Sequence, residues 1–97
     1  MSGDELNPAT VVARRSDVLF AEVDGEMVLL APGARRYFGL NEVGSVVWEQ
    51  LDRPTALDRV HREIVDRYEV GEDEAWADLM ELVKELEKHG LVERVAP

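Results

Sequence analysis

The chain has 97 residues, 45% of them apolar, with no internal repeat and no cysteine. That length holds one domain with a modest core and little room for a catalytic cleft, and the lack of cysteine excludes disulfides, thiolate zinc sites and a cysteine nucleophile. A formal net charge of −10, from 21 acidic against 11 basic residues, repels phosphate backbones and anionic membranes and favours a basic or apolar peptide, while also serving ordinary solubility.

Residues 1 to 9 end in Asn7-Pro8-Ala9 and show no periodicity, so a flexible arm is expected there, with residues 10 to 97 as a single domain. The first five residues carry neither a basic region nor an apolar stretch, and no segment approaches the roughly 18 apolar residues of a membrane span. A cytoplasmic protein is expected. Val18 to Val23, Asp24-Gly25 and Glu26 to Leu30 read as a hairpin, because Asp-Gly supplies the positive φ angles of a two-residue turn. Pro32 to Arg35 is a second turn, and Arg36 to Leu40 alternates as a third strand with one buried face. Thr10 to Arg14 adds a strand on the far side.

From Asn41 the period changes from two to about 3.6. Asn41 is the expected N-cap of a helix whose buried face holds Val43, Val46, Val47 and Leu51, with Trp48 in the core, and Asp52-Arg53-Pro54 stops it. Thr55, with Asp58 three residues on, resembles a capping box for a second helix with Leu57, Val60, Ile64, Val65 and Tyr68 as its stripe. A third helix, from about Glu72 to His89, carries Ala75, Trp76, Leu79, Met80, Leu82, Val83 and Leu86, a stripe wider than one packing partner needs. Gly90 suits the C′ position, with Leu91 and Val92 tucking back under the last turn. The fold expected is α+β and winged helix-turn-helix-like, an N-terminal three-stranded antiparallel sheet followed by three helices.

A third strand with nothing obvious to pair with is a docking edge, where an extended peptide adds by main-chain hydrogen bonds. Arg36, Tyr37, Phe38, Gly39 and Leu40 would supply the ladder. The third helix would form the wall, with Trp76, Leu79, Met80 and Val83 receiving apolar side chains. Its Glu72, Asp73, Glu74, Asp78, Glu81, Glu85 and Glu87 against Lys84 and Lys88 give a net of −5, half the charge of the chain, which would steer basic residues. Each residue has a plainer reading beside this one. Trp76, Leu79, Met80 and Val83 have the spacing of core residues, Gly39 equally suits a bulge, and the acidic run equally suits a solvated face.

Catalytic constellations are missing. His61 and His89 are the only histidines and form no H-E-x-x-H array, Ser2, Ser16 and Ser45 lie outside any nucleophile elbow, and no Gly-rich phosphate loop occurs. Carboxylate pairs such as Glu74 with Asp78 or Glu81 with Glu85 read as helix surface charge. No cofactor, metal or enzymatic activity is expected.

Tyr37-Phe38-Gly39-Leu40-Asn41, Gly44 and Trp48, Thr55-Ala56-Leu57, and His89-Gly90-Leu91-Val92 together resemble the PqqD family, small modules called RiPP recognition elements, over roughly residues 10 to 95. The resemblance implies a non-catalytic adaptor that binds the leader segment of a ribosomally made precursor peptide and presents it to a modifying enzyme. The Leu-Asn, Gly and Trp pattern looks most like the discrete recognition proteins of lasso-peptide pathways. Their partners are a leader peptidase with papain-like chemistry and an asparagine-synthetase-like macrocyclase. A PqqD-type role beside a radical-SAM enzyme is the alternative. A winged-helix DNA binder and a subunit that self-pairs through its edge are two further readings, the former weakened by Asp58, Glu63 and Asp66 interleaved with Arg59, Arg62 and Arg67.

Overall fold

In the computed structural model, which describes residues 5–96, the chain runs through β1 (Val11–Arg14), β2 (Leu19–Val23), β3 (Glu26–Leu30), β4 (Phe38–Leu40), α1 (Glu42–Gln50), β5 (Thr55–Ala56), α2 (Leu57–Tyr68), α3 (Glu72–Lys88) and β6 (Val92–Arg94). The Asp24-Gly25 turn sets the first sheet: both residues take positive φ, 53° and 82°, and β2 folds back on β3 with Val23 opposite Glu26. β4 then pairs antiparallel with β3, Leu29 opposite Phe38 and Met27 opposite Leu40, giving the order β2-β3-β4. The expected third strand is shorter at its start. Arg36 lies in a bend and Tyr37 precedes the strand, 71% exposed.

The far-side strand is present as β1, but it belongs to a second sheet. Its order is β5-β1-β6, with Val12 opposite both Thr55 and Arg94. Two of these strands have no periodicity to read. β5 has two residues, and Thr55, expected as a helix cap, instead donates its hydroxyl to the carbonyls of Gln50 (3.1 Å) and Arg53 (2.9 Å). Ala56 takes the N-cap position of α2 without a side-chain bond, because the first amides of that helix are satisfied by the N-terminal segment. Leu57 N–H donates to Thr10 O at 2.9 Å and Asp58 N–H to Pro8 O at 3.0 Å. Residues 1–4 of the expected arm lie outside the described residues, as does residue 97. Within its described part, Asn7 to Thr10 form a turn closed by Asn7 N–H to Thr10 Oγ1 (3.0 Å) and Ala9 N–H to Asn7 Oδ1 (2.8 Å).

β6 follows from how α3 ends. Gly90 has φ 73°, its N–H donates to Glu87 O (3.0 Å), and Leu91 N–H donates to Leu86 O (2.9 Å). This is a Schellman reversal, and it turns the chain so that buried Leu91 follows buried Leu86 and Val92 pairs with Arg14. The helices fill the space between the sheets. Val47, Trp48, Leu51, Leu57, Val60, Leu79, Val83 and Leu86 are buried with Val12, Leu29 and Leu91 in one cluster, each contributing about 1.5–3 kcal/mol of apolar burial. Trp48 is fully buried, as its place in the sequence predicts, and the Arg14 guanidinium stands 5.2 Å from its ring and 4.7 Å from that of Phe20.

Candidate functional site

The strand end at β4 is built by a short-range device. Asn41 caps α1 by accepting the Gly44 N–H at 2.8 Å, so the helix begins as soon as the strand stops. Gly44 permits that tight joint. A Cβ there would stand 3.1 Å from Leu40 Cδ2 and 3.3 Å from Asn41 Oδ1.

Among the described residues, β4 pairs with β3 on one side and has no strand on the other. The register shows which backbone groups are free. Val23 and Glu26 flank a two-residue turn and so exchange hydrogen bonds, and alternation along the ladder then aims the amides and carbonyls of Met27 and Leu29 at Leu40 and Phe38. The N–H and C=O of Gly39 therefore face the open edge. No atom outside its chain neighbours lies within 4 Å of where a Cβ of Gly39 would stand, so the face of the sheet above it is open. On either side of it, Leu40 is buried and Phe38 half-buried.

The wall opposite that edge is one flank of α3. His89, the C-cap, places its ring 5.1 Å from that of Phe38 and its Nε2 3.5 Å from Glu85. Four and seven residues earlier on the same flank come Glu85 and Leu82, then Asp78 a turn further. Asp78, Glu81 and Leu82 line an apolar recess of about 270 Å³ together with Asn41, Val43, Gly44, Val47 and Tyr68. The Tyr68 hydroxyl donates to Glu42 (3.3 Å), and partial burial, then the Glu42 carboxylate, push its phenol above the ordinary value. The C-terminal end of this flank thus meets β4 at Phe38, and further along it lies an apolar recess, next to the strand's end at Asn41, with acidic residues on its rim.

The expected wall residues are placed elsewhere. Leu79 and Val83 are 2% and 0% exposed and belong to the core. Trp76 packs edge-on against His61 of α2 at 5.3 Å, and His61 Nε2–H donates to Glu72 O at 2.8 Å. Glu87 is held by Arg94 of β6 through two contacts, 2.7 and 3.2 Å. Met80, a turn after Trp76, shares that flank. The groove set read from the sequence is therefore divided between the core and the side of α3 that faces α2 and β6. Asp78, Leu82, Glu85 and His89 form a second stripe of the same period, with His89 against Phe38, and its one signal in the sequence is the excess width of the α3 pattern.

A larger recess, about 740 Å³, lies between the α1–β5 connection and α2. Arg53, Arg59 and Arg62 line it among Asp52, Asp58, Glu63 and Asp66, so it carries no field of one sign and no unpaired strand of useful length. Among the described residues no group of three or more His, Asp or Glu side chains could hold a metal ion, and no helix is long and apolar enough to cross a membrane.

An unpaired strand running into a capped helix, a second helix, and a third ending in a Gly reversal have a counterpart in a known family. Residues 26–92 match the family described as coenzyme PQQ synthesis protein D (PqqD). The chain belongs to the PqqD family. The architecture of the described residues, six short strands in two antiparallel sheets with three helices, agrees with that of PqqD-type recognition elements. It is similar to the solved structure of lasso peptide synthetase B1 complexed with the leader peptide, at 26% identity over 84% of this chain and 96% of that one, with a TM-score of 0.74. It is also similar to TbiB1 in complex with the TbiA(beta) leader peptide, at 29% identity over 88% and 99% of the two chains, TM-score 0.76. The PqqD part of Methylobacterium extorquens PqqCD, described as a functional, stand-alone RiPP recognition element, gives a TM-score of 0.78 over 97% and 100%; at 20% identity it speaks to the fold alone. No match is found among curated proteins.

Proposed function

We infer that this protein is a non-catalytic, cytoplasmic adaptor that binds the leader segment of a ribosomally synthesised precursor peptide, with residues 10 to 97 as its binding unit. The leader adds as a strand to the open edge of β4, bonding to the Gly39 N–H and C=O, and its side chains meet Phe38, Leu82 and the recess beside Asn41. Asp78, Glu81 and Glu85 attract basic leader residues. The observation that carries this reading is the outward-facing Gly39 backbone beside an acidic helix flank.

The similarity to lasso peptide synthetase B1 with its leader peptide, at 26% identity, supports a lasso pathway over a radical-SAM one, and TbiB1 with its leader peptide, at 29%, supports leader binding. Delivery is then to a leader peptidase with papain-like chemistry and to an asparagine-synthetase-like macrocyclase. A DNA-binding role finds no basic helix face, since Arg67 is tied to Glu63 at 2.8 Å and acidic residues alternate along α2.

Fluorescence anisotropy tests the reading. Labelled leader peptides from short reading frames beside the gene are titrated with the protein at two salt concentrations. Saturable binding of one leader, and not of its core segment, is the expected result. Failure of every leader to bind overturns it.

A further inference from the structure

The chain has two pairs of adjacent arginines, and their surroundings differ. Arg14 lies 4.7 Å and 5.2 Å from the rings of Phe20 and Trp48, and Arg15 pairs with Asp17 at 3.3 Å. Arg35 and Arg36 are exposed, and among the described residues neither has a hydrogen bond, an ion pair or a ring contact. They end the connection from β3 to β4, with only Tyr37, 71% exposed, between them and the strand. On a chain of net charge −10, no acidic residue occurs from Met27 to Asn41. This connection is the basic part of an acidic molecule.

The two ends of β4 therefore differ in sign. Arg35 and Arg36 precede its start at Phe38, where His89 also stands, its ring 5.1 Å from that of Phe38. Glu85 brings one carboxylate to that end, 3.5 Å from His89 Nε2. Past the other end, Asn41 lines the recess with exposed Asp78 and Glu81. The helix termini have the opposite sense, the C-terminus of α3 near Phe38 and the N-terminus of α1 at Asn41, but each is worth about half a charge, less than a pair of ionised side chains. The step from Phe38 to Asn41 is roughly 10 Å at about 3.3 Å per residue. That is about one Debye length at physiological salt, so each end acts mainly on the part of a bound peptide that lies against it.

An open edge accepts a strand in either direction, because parallel and antiparallel ladders differ only slightly in stability. We propose that Arg35 and Arg36 bind an acidic residue of the leader while Asp78 and Glu81 bind a basic one, and that this order of charge fixes the direction in which the leader lies on β4. The proposal rests on the leader-binding reading and adds the charge order of the peptide, a carboxylate and a cation on either side of a stretch of about three or four residues. Guanidinium forks match a carboxylate, and a strand laid the wrong way would set like charges together at both ends. A plainer role for the arginines is to guard a strand edge against other copies. That role requires no acidic residue in the leader.

The test uses the full chain and the labelled leader that binds it in the anisotropy titration, with a synthetic form of that leader whose acidic residues are replaced by lysine. Arg35→Glu/Arg36→Glu is expected to weaken binding of the natural leader about tenfold at low salt and less at high salt. The lysine form is expected to bind the wild type about tenfold more weakly than the natural leader and to regain most of that loss on the double variant, which a misfolded variant could not restore. A nitroxide at the acidic end of the natural leader should broaden the amide signals of Tyr37 and Phe38 and spare that of Leu82. Unchanged affinity of the double variant for the natural leader overturns the proposal. So do a loss that the lysine form does not rescue, broadening at Leu82 instead of Phe38, and a leader that binds with no acidic residue in its bound segment; in each case leader binding itself stands. Absence of leader binding by the wild type overturns both readings.

Discussion

Trp76, Met80, Val83 and Glu87 run along one side of α3 at the spacing i, i+4, i+7, i+11, and Asp78, Leu82, Glu85 and His89 run along nearly the opposite side at the same spacing. The first set meets His61, the core and Arg94. The second meets Phe38 and the recess beside Asn41. Both are part apolar and part charged, so periodicity alone gives them equal standing. What separates them is which neighbour has an open backbone edge, and that is a property of β4 and not of the helix. A helix becomes a binding wall by what it stands beside.

Adjacent residues test this division most sharply. Val83→Glu would place an uncompensated carboxylate at a fully buried position, a cost of roughly 3–5 kcal/mol and a large part of what a domain of this size has. Urea denaturation should find the variant largely unfolded. Leu82→Glu, one residue earlier and half-buried, should cost no more than about 1–2 kcal/mol and leave the fold intact, while leader affinity by anisotropy falls about tenfold. If Leu82→Glu leaves leader binding unchanged, the wall has been placed on the wrong flank.

The edge can be tested from the ligand side. Backbone N-methylation of the leader, scanned one residue at a time, should weaken binding at alternate positions and be tolerated between them, because a ladder uses every second residue toward a given neighbour. A loss without alternation would mean that the leader does not bind as a strand. A smaller effect comes from charge. Glu85→Lys should weaken leader binding a few-fold at low salt and less at high salt, whereas Glu87→Gln, which removes the charge of the contact to Arg94 on the other flank, should leave leader affinity alone and cost at most about 1 kcal/mol in stability.

The local devices of this fold are legible residue by residue. Asp24-Gly25 specifies its hairpin, Asn41 its cap and Gly90 its reversal, each by backbone chemistry confined to a few neighbours. The second sheet is not legible in that way. β5 and β6 have two and three residues, and their pairing with β1 joins positions about 40 and 80 apart; so short a segment has no period, and its conformation is imposed by tertiary contact. Thr55 shows the cost of reading locally, since its hydroxyl serves the preceding loop and the amide it was expected to satisfy is taken by Pro8. For the site, the edge residues Phe38, Gly39 and Leu40 are legible because strand alternation and a cap end abruptly there. The choice between two flanks of α3 requires knowing on which side β4 lies.

The place of β1 between β5 and β6 has a kinetic consequence. Val12 sits opposite Thr55 on one side and Arg94 on the other, so the first strand of the chain cannot be fully zipped until the last has been synthesised and α3 has turned back at Gly90. Such long-range closure is slow and is gained late. Amide exchange should then find the central seam of this sheet protected only in the complete chain, and shortening the protein past β6 or past β1 amounts to the same lesion, since either cut leaves the same ladder half made.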